Sequence, residues 1–316
     1  MTIVKIIRGR KAVFFTMVAI ILASIIVLLF SVETSFRLKD KMNVVETRVT
    51  TLNSFFKDIE KDLSRGLYIS GYRSLLAMTE YISIYGVYLD DVNLRFKEAM
   101  INGTVNSIPI NVLQNQTFDY WTVKISQEAL KIGIITNISI INLSIYPIDT
   151  WTVGISSYVS ILLNDTKGTA SFAKNTNIST TVGINDFEDP LYTINSYGRV
   201  FNTIINTGVT NFGNISELRK HLNFSYYLPS NTAPDFLMRL TGNLSNSTYG
   251  IESIVNLNEF VVQGLSIKSS SDVDYIYFGN MSIPSCLVNE TINDTLINWF
   301  RLDDAHLATY SVHCLI

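Results

Sequence analysis

The chain has 316 residues, a formal net charge of −3, 47% apolar residues and only 16% charged ones. That length suits an anchor plus one or two domains and can bury a sizeable core. The net charge of −3 gives no reason to expect nucleic acid as a partner. Asn, Ser and Thr are abundant, a texture of exported chains rather than of cytosolic enzymes.

Residues 1–11 form a basic leader carrying Lys5, Arg8, Arg10 and Lys11 with no acid among them. Residues 12–32, AVFFTMVAIILASIIVLLFSV, contain no charge, no Pro and no Gly. At about 1.5 Å per residue, a helix of this length matches the roughly 30 Å hydrocarbon core of a bilayer. The cations on its N-terminal side keep that end in the cytoplasm. A single-pass protein of the cell membrane with its C-terminal bulk extracellular is therefore expected. The competing reading is a cleaved secretory signal. Such signals have an apolar region of about 7–15 residues ending in a small-x-small site. This block is longer, and Leu28-Leu29-Phe30-Ser31-Val32-Glu33 lacks that site. In both readings the remainder is exported.

Residues 33–132 are expected to be a helical stalk and packing region. From Glu33 to Arg65 there is neither Pro nor Gly. Leu38, Met42, Val45, Val49, Leu52, Phe56, Ile59 and Leu63 recur at alternating steps of four and three, a heptad seam. The seam has two readings: it packs on the chain's own head, or it pairs with copies of itself. The pattern predicts that this helix stops near Gly66. Further helices are expected over 72–85, ended by Gly86, over 91–101, and over 118–131.

The texture changes near residue 133, and an antiparallel β-rich domain is expected over 133–210. Residues 134–146 are rich in β-branched side chains, with Pro147 as the predicted break. Residues 151–163 alternate apolar and polar, the period of a half-buried strand. Residues 164–168 read as a turn, followed by strands over 169–173 and 178–184. A mixed α/β region is expected over 211–316. It holds a helix at 216–222 capped by Ser216, a helical turn at 234–240, and strands at 251–265 and 273–278. The fold class is α+β.

Few residue sets suggest chemistry. Cys286 and Cys314 are the two cysteines, and an even count in an exported chain points to a disulfide; two buried thiols are the alternative. The histidines His221, His306 and His313 lack a second His at metal spacing. Asp303-Asp304-Ala305-His306 offers oxygen and nitrogen ligands, but sequence neighbours do not all face one way. Asp186, Glu188 and Asp189 resemble a calcium loop only in charge, without EF-hand spacing, and an ordinary solvated turn explains them better. There is no phosphate loop, nucleophile elbow or zinc spacing, so no catalytic residue, cofactor or metal is assigned and the chain is read as a non-enzyme. N-glycosylation sequons occur at Asn102, Asn115, Asn137, Asn142, Asn164, Asn177, Asn214, Asn223, Asn243, Asn246, Asn280, Asn289 and Asn293. They exceed chance pairing of these residue types, none precedes residue 102, and a glycan requires a solvated position.

Arg8-Gly9-Arg10-Lys11-Ala12-Val13-Phe14-Phe15 resembles the entry to archaeal type IV pilin-like proteins with a class III signal peptide. The resemblance covers about the first 65 residues and the general plan of the rest. It implies a helix that anchors the subunit, runs on into a β-rich head and, after processing at Gly9, builds a filament core. It also implies a surface glycoprotein with a structural, assembly or adhesion role, whose partners are the membrane and other copies or other pilin-like subunits. Cutting after Gly9 would leave Arg10 and Lys11 at the new terminus and put Phe14 where many such proteins carry Glu. On that departure rests the alternative, a monomeric anchored ectodomain binding a partner or a sugar. An extracellular enzyme is a third and weaker reading.

Overall fold

The computed structural model describes residues 3–209, 212–213, 215–279, 281–288, 291–292, 295–296 and 299–315. One helix, α1 (Ile3–Tyr85), runs for 83 residues, about 125 Å at the usual rise. Its residues 13–47 are all exposed. From Leu52 onward the seam is buried: Leu52, Phe56, Ile59, Leu63 and Leu67 enter the core. The first reading of the heptad pattern therefore holds for part of it. Its second half packs on the chain's own head, and Leu38, Met42, Val45 and Val49 project without cover.

The predicted stop at Gly66 is corrected: α1 continues through it. A Cβ on Gly66 would lie 3.1 Å from Trp121 Cγ, and one on Gly71 would overlap Ile155 Cδ1. These glycines let a helix and a sheet approach α1 closely, at a helix cost of about 1 kcal/mol each relative to Ala. The helix ends where expected. Gly86 adopts φ +64° and donates its N–H to the Ile82 carbonyl at 2.8 Å.

Helix α2 (Val92–Asn102) starts at Asp91, whose carboxylate accepts from the Leu94 N–H, and ends at Gly103 with φ +71°. A small hairpin follows, β1 (Thr104–Val105) with β2 (Ile108–Pro109). Helix α3 (Phe118–Lys131) is capped by Thr117 and matches the sequence reading.

The main sheet is an antiparallel meander in the order β3 (Ile134–Asp149), β4 (Thr152–Asp165), β5 (Ser171–Gly183). Val153, Ile155, Val159, Ile161 and Leu163 of the central strand are buried, as the alternation predicts. They pack on α1, with α3 and α2 beneath β3. Pro147 does not break β3. It pairs with Val153 on an edge strand, where a missing N–H removes no ladder bond, and the register shifts just after it. The two strands expected after the turn are one, because Asn175, Thr176 and Asn177 stay paired with Ser160, Val159 and Tyr158.

The remainder consists of short elements. They are α4 (Pro190–Asn195), α5 (Ile215–Phe224), β6 (Tyr227–Pro229), α6 (Phe236–Leu240), β7 (Ile251–Ser253), α7 (Leu257–Val262), α8 (Asp274–Phe278), β8 (Ser285–Leu287), β9 (Thr291–Ile292), β10 (Thr295–Leu296), β11 (Arg301–Asp303) and α9 (Asp304–Leu307). Their ladders are antiparallel two-stranded pairs. Helix α5 starts at Ile215, so Ser216 lies inside its first turn. The strand expected over 251–265 stops at Ser253; Asn256 accepts from the Asn258 N–H and starts α7. The strand expected over 273–278 is helix α8, with all five residues buried. A continuous hydrophobic core links the α1 seam, the sheet and this region as far as Val312.

Candidate functional site: a projecting helix and a sequon-bearing sheet

The first candidate is the exposed length of α1. It holds a stretch long and apolar enough to cross a membrane, and none of that window is buried. Val13, Phe14, Phe15, Ile20, Leu28 and Phe30 project around the whole circumference. A helix apolar on all sides belongs in a core or a bilayer, and none of the described residues packs on this stretch. Gly9 lies within the same helix. Beyond the apolar stretch, Arg37 pairs with Glu33 at 2.7 Å. The head takes hold at Arg48, 3.3 Å from the buried carboxylate of Asp165.

The second candidate is the solvent face of the sheet. Register places Asn142, Tyr158 and Asn177 in one cross-strand row, and Asn137, Leu162 and Ala173 in another. Asn137, Asn142 and Asn177 are exposed. Asn164, at the end of β4, is half-buried and its side-chain oxygen accepts from Ser171 Oγ at 2.7 Å. Elsewhere Asn102 at the end of α2, Asn115 before α3, Asn223 in α5, and Asn243 and Asn246 after α6 are all exposed. Asn214, Asn280, Asn289 and Asn293 lie outside the described residues.

Cys286 and Cys314 form a disulfide with their Cα atoms 5.6 Å apart. It ties β8 to the end of the chain and closes a 28-residue separation. In the chain-entropy account a loop of this size contributes roughly 3–4 kcal/mol.

The residues considered for chemistry are drawn into two interior networks. Asp189, placed by sequence in an acidic turn, is buried. It caps α4 and sits 2.6 Å from Arg239. Arg239 also meets Asp274 at 2.9 Å, donates to the carbonyls of Ile251 and Pro234, and lies over the Tyr227 ring. Tyr227 donates to Asp189 at 2.7 Å, and Ser253 to Asp274 at 2.8 Å. Burial pushes the Asp274 carboxyl up to about 6, against the pull of Arg239. Glu188 instead accepts from Ser83 at 2.9 Å, and Asp186 is exposed. These acids do not converge into a calcium loop.

In the second network His306 Nδ1 lies 2.8 Å from Asp303, and Nε2 lies 3.3 Å from Glu252 and from Tyr275 Oη. Asp304 is exposed and apart from the cluster. Burial alone would lower the imidazole pKa, but the Asp303 and Glu252 carboxylates outweigh it and raise it to about 10. His306 is thus an imidazolium cross-linking β7, α8 and β11. His221 is packed against Phe212, with burial lowering its pKa. Among the described residues no group of three His, Cys, Asp or Glu is arranged to hold a metal. Arg239 was missed by sequence reasoning. Its acids lie 50 and 35 residues away, and no motif joins them.

Compared with known proteins, the chain matches no family model, and no curated protein or solved structure shows significant similarity to it.

Proposed function

We propose that this chain is a membrane-anchored surface glycoprotein of pilin-like plan, exported except for its basic leader, with a structural, assembly or adhesion role. The observation that carries this reading is the unbroken α1. Its apolar first part has nothing packed on it, and its second part is the spine of the head. Side chains such as Phe14, Ile20 and Leu29 are solvated by lipid tails and by little else. The four leader cations set the direction of insertion. The disulfide fits an oxidising compartment, and the exposed sequons fit one that holds a glycosylating enzyme. Subunits would meet through Leu38, Met42, Val45 and Val49, the open part of the seam.

A protease added to intact cells tests the topology. Digestion of residues 33–316 is expected, and their protection until lysis would overturn it. Mass spectrometry of the native N-terminus tests the pilin-like part: a chain beginning at Arg10 supports processing, and an intact Met1 end removes it while sparing the anchor. The second reading, a monomeric anchored ectodomain that binds a partner or a sugar, is favoured by Arg10, Lys11 and Phe14 at the positions described above. Cross-linking in native membranes separates the two, since ladders of subunits count against a monomer.

A further inference from the structure

The three-stranded sheet leaves β3 and β5 as edge strands, each with one row of backbone groups that no strand pairs. Such edges recruit other chains unless they are blocked by charge, Pro, bulges or cover. Strand β3 is 16 residues long and reads IITNISIINLSIYPID, with no charged side chain before its final Asp149. From the row Ile135–Asn164–Ser171 to the row Tyr146–Gly154–Thr181, register puts no charged side chain on the outer face at all. Exposed apolar groups lie there instead, Ile135 at 51%, Tyr158 at 41% and Leu162 at 36%, and Ile141, at the register shift of the same edge strand, is exposed at 55%. A long, uncharged, β-branched edge is the composition that favours intermolecular strand pairing.

Some protection is built in. The register shifts between Ile140 and Asn142, Pro147 interrupts the C-terminal end, and Asn93 of α2 accepts from the Ile145 N–H at 3.2 Å. The stretch from Ile135 to Ile140 precedes all three and is flanked by α3. Sequon asparagines stand where charges would be expected, with Asn137 within that stretch, Asn142 just past the register shift and Asn177 on the opposite edge strand.

We infer that N-linked glycans at Asn137, Asn142 and Asn177 act as the edge guards of this sheet, holding other chains off β3 and β5 and covering Tyr158 and Leu162. Neighbouring strands lie about 4.8 Å apart, so Asn142 and Asn177 flank Tyr158 at roughly 10 Å from each other. Sugars on both span the width of the sheet. The modification is a transfer from a lipid-linked oligosaccharide. The bond between the sugar C1 and the lipid phosphate oxygen breaks, and the polyprenyl (pyro)phosphate leaves with the electron pair. The asparagine Nδ2 bonds to C1 and gives up one proton. The half-buried Asn164, bonded to Ser171, is assigned no glycan.

This inference rests on the exported orientation proposed above, and the experiment separates the two. Glycopeptide mapping of the native full-length protein is expected to find sugar on Asn137, Asn142 and Asn177 and none on Asn164. Sugar on Asn102, Asn223 or Asn243 with a bare sheet would overturn the guard role and leave export standing. A chain bare at every sequon would overturn the guard role and the glycoprotein part of that reading, while the protease test still decides export. The triple variant Asn137→Gln/Asn142→Gln/Asn177→Gln is then compared with Asn102→Gln/Asn223→Gln/Asn243→Gln by size exclusion in detergent and by the infrared band of intermolecular β-structure. A several-fold rise in β-linked oligomer is expected for the first variant alone. Adding Ser139→Lys to it, which restores a charge on the edge, is expected to return it to the dispersed state. A sheet variant as dispersed as the native chain, or association that Ser139→Lys leaves unchanged, would sink the proposal.

Discussion

Arg239 shows what a single buried charge does in this fold. Its side chain is fully enclosed, and Asp189 and Asp274 neutralise it from α4 and α8. Removing one partner of such a set leaves an uncompensated interior charge, which costs about 3–5 kcal/mol. Arg239→Met is therefore expected to lower the unfolding free energy of the detergent-solubilised chain by about that amount in denaturant titration. Adding Asp189→Asn and Asp274→Asn should recover part of the loss, because the stranded acids go with it. His306 gives a pH dependence of definite sign. Its folded pKa of about 10 lies above the ordinary 6.5, so its contribution is complete below pH 6.5 and fades as pH rises toward 10. Burial leaves little solvent to screen it, and the decline should amount to about 3–5 kcal/mol. Stability measured from pH 6 to pH 10 should fall in the native chain and stay flatter in His306→Gln. Asp303 adds an acid limb. Its pKa is lowered by His306 and Ser271 against the effect of burial, so its contribution is present above the usual carboxylate pKa and is lost as pH falls through the lower folded value.

At the scale of elements, α1 and the central strand are held at short range by Gly71 against Ile155. Gly71→Leu forces a side chain into occupied space and should cost about 1–3 kcal/mol of stability, read as a shifted unfolding midpoint. On the open part of the same helix, Val45→Asp should leave the melting of the head unchanged and abolish cross-linked oligomers, since Val45 touches no core. The long periodic elements were legible in sequence: the heptad seam, α3 to the residue, and the buried side of β4. Gly66 misled because a glycine reads as a helix end, whereas here it marks a close contact with Trp121. Residues 257–262 and 274–278 misled for a different reason. Short apolar runs carry no period that separates helix from strand, and enclosure by the rest of the chain decided them. The interior network was illegible because its members come from α4, α6 and α8, and their meeting is a product of the fold. The sequons, by contrast, were legible one by one, yet the gathering of Asn137, Asn142 and Asn177 on one face required strand register.

Across the whole molecule, the decisive feature is that residues 13 to 85 form a single helix with no joint between the apolar stretch and the head. Each residue added between 33 and 47 would raise the head by about 1.5 Å and swing it by about 100°. A two-residue insertion after Lys41 turns it by about 200°. A seven-residue insertion brings it back to within about 20° of its starting azimuth while lifting it by about 10 Å. In native membranes the seven-residue insertion should keep the cross-linking pattern of the parent, and the two-residue insertion should lose it. Such a rod is built like a crankshaft: with no joint along its length, the azimuth at which its apolar end is held fixes which side of the head looks outward.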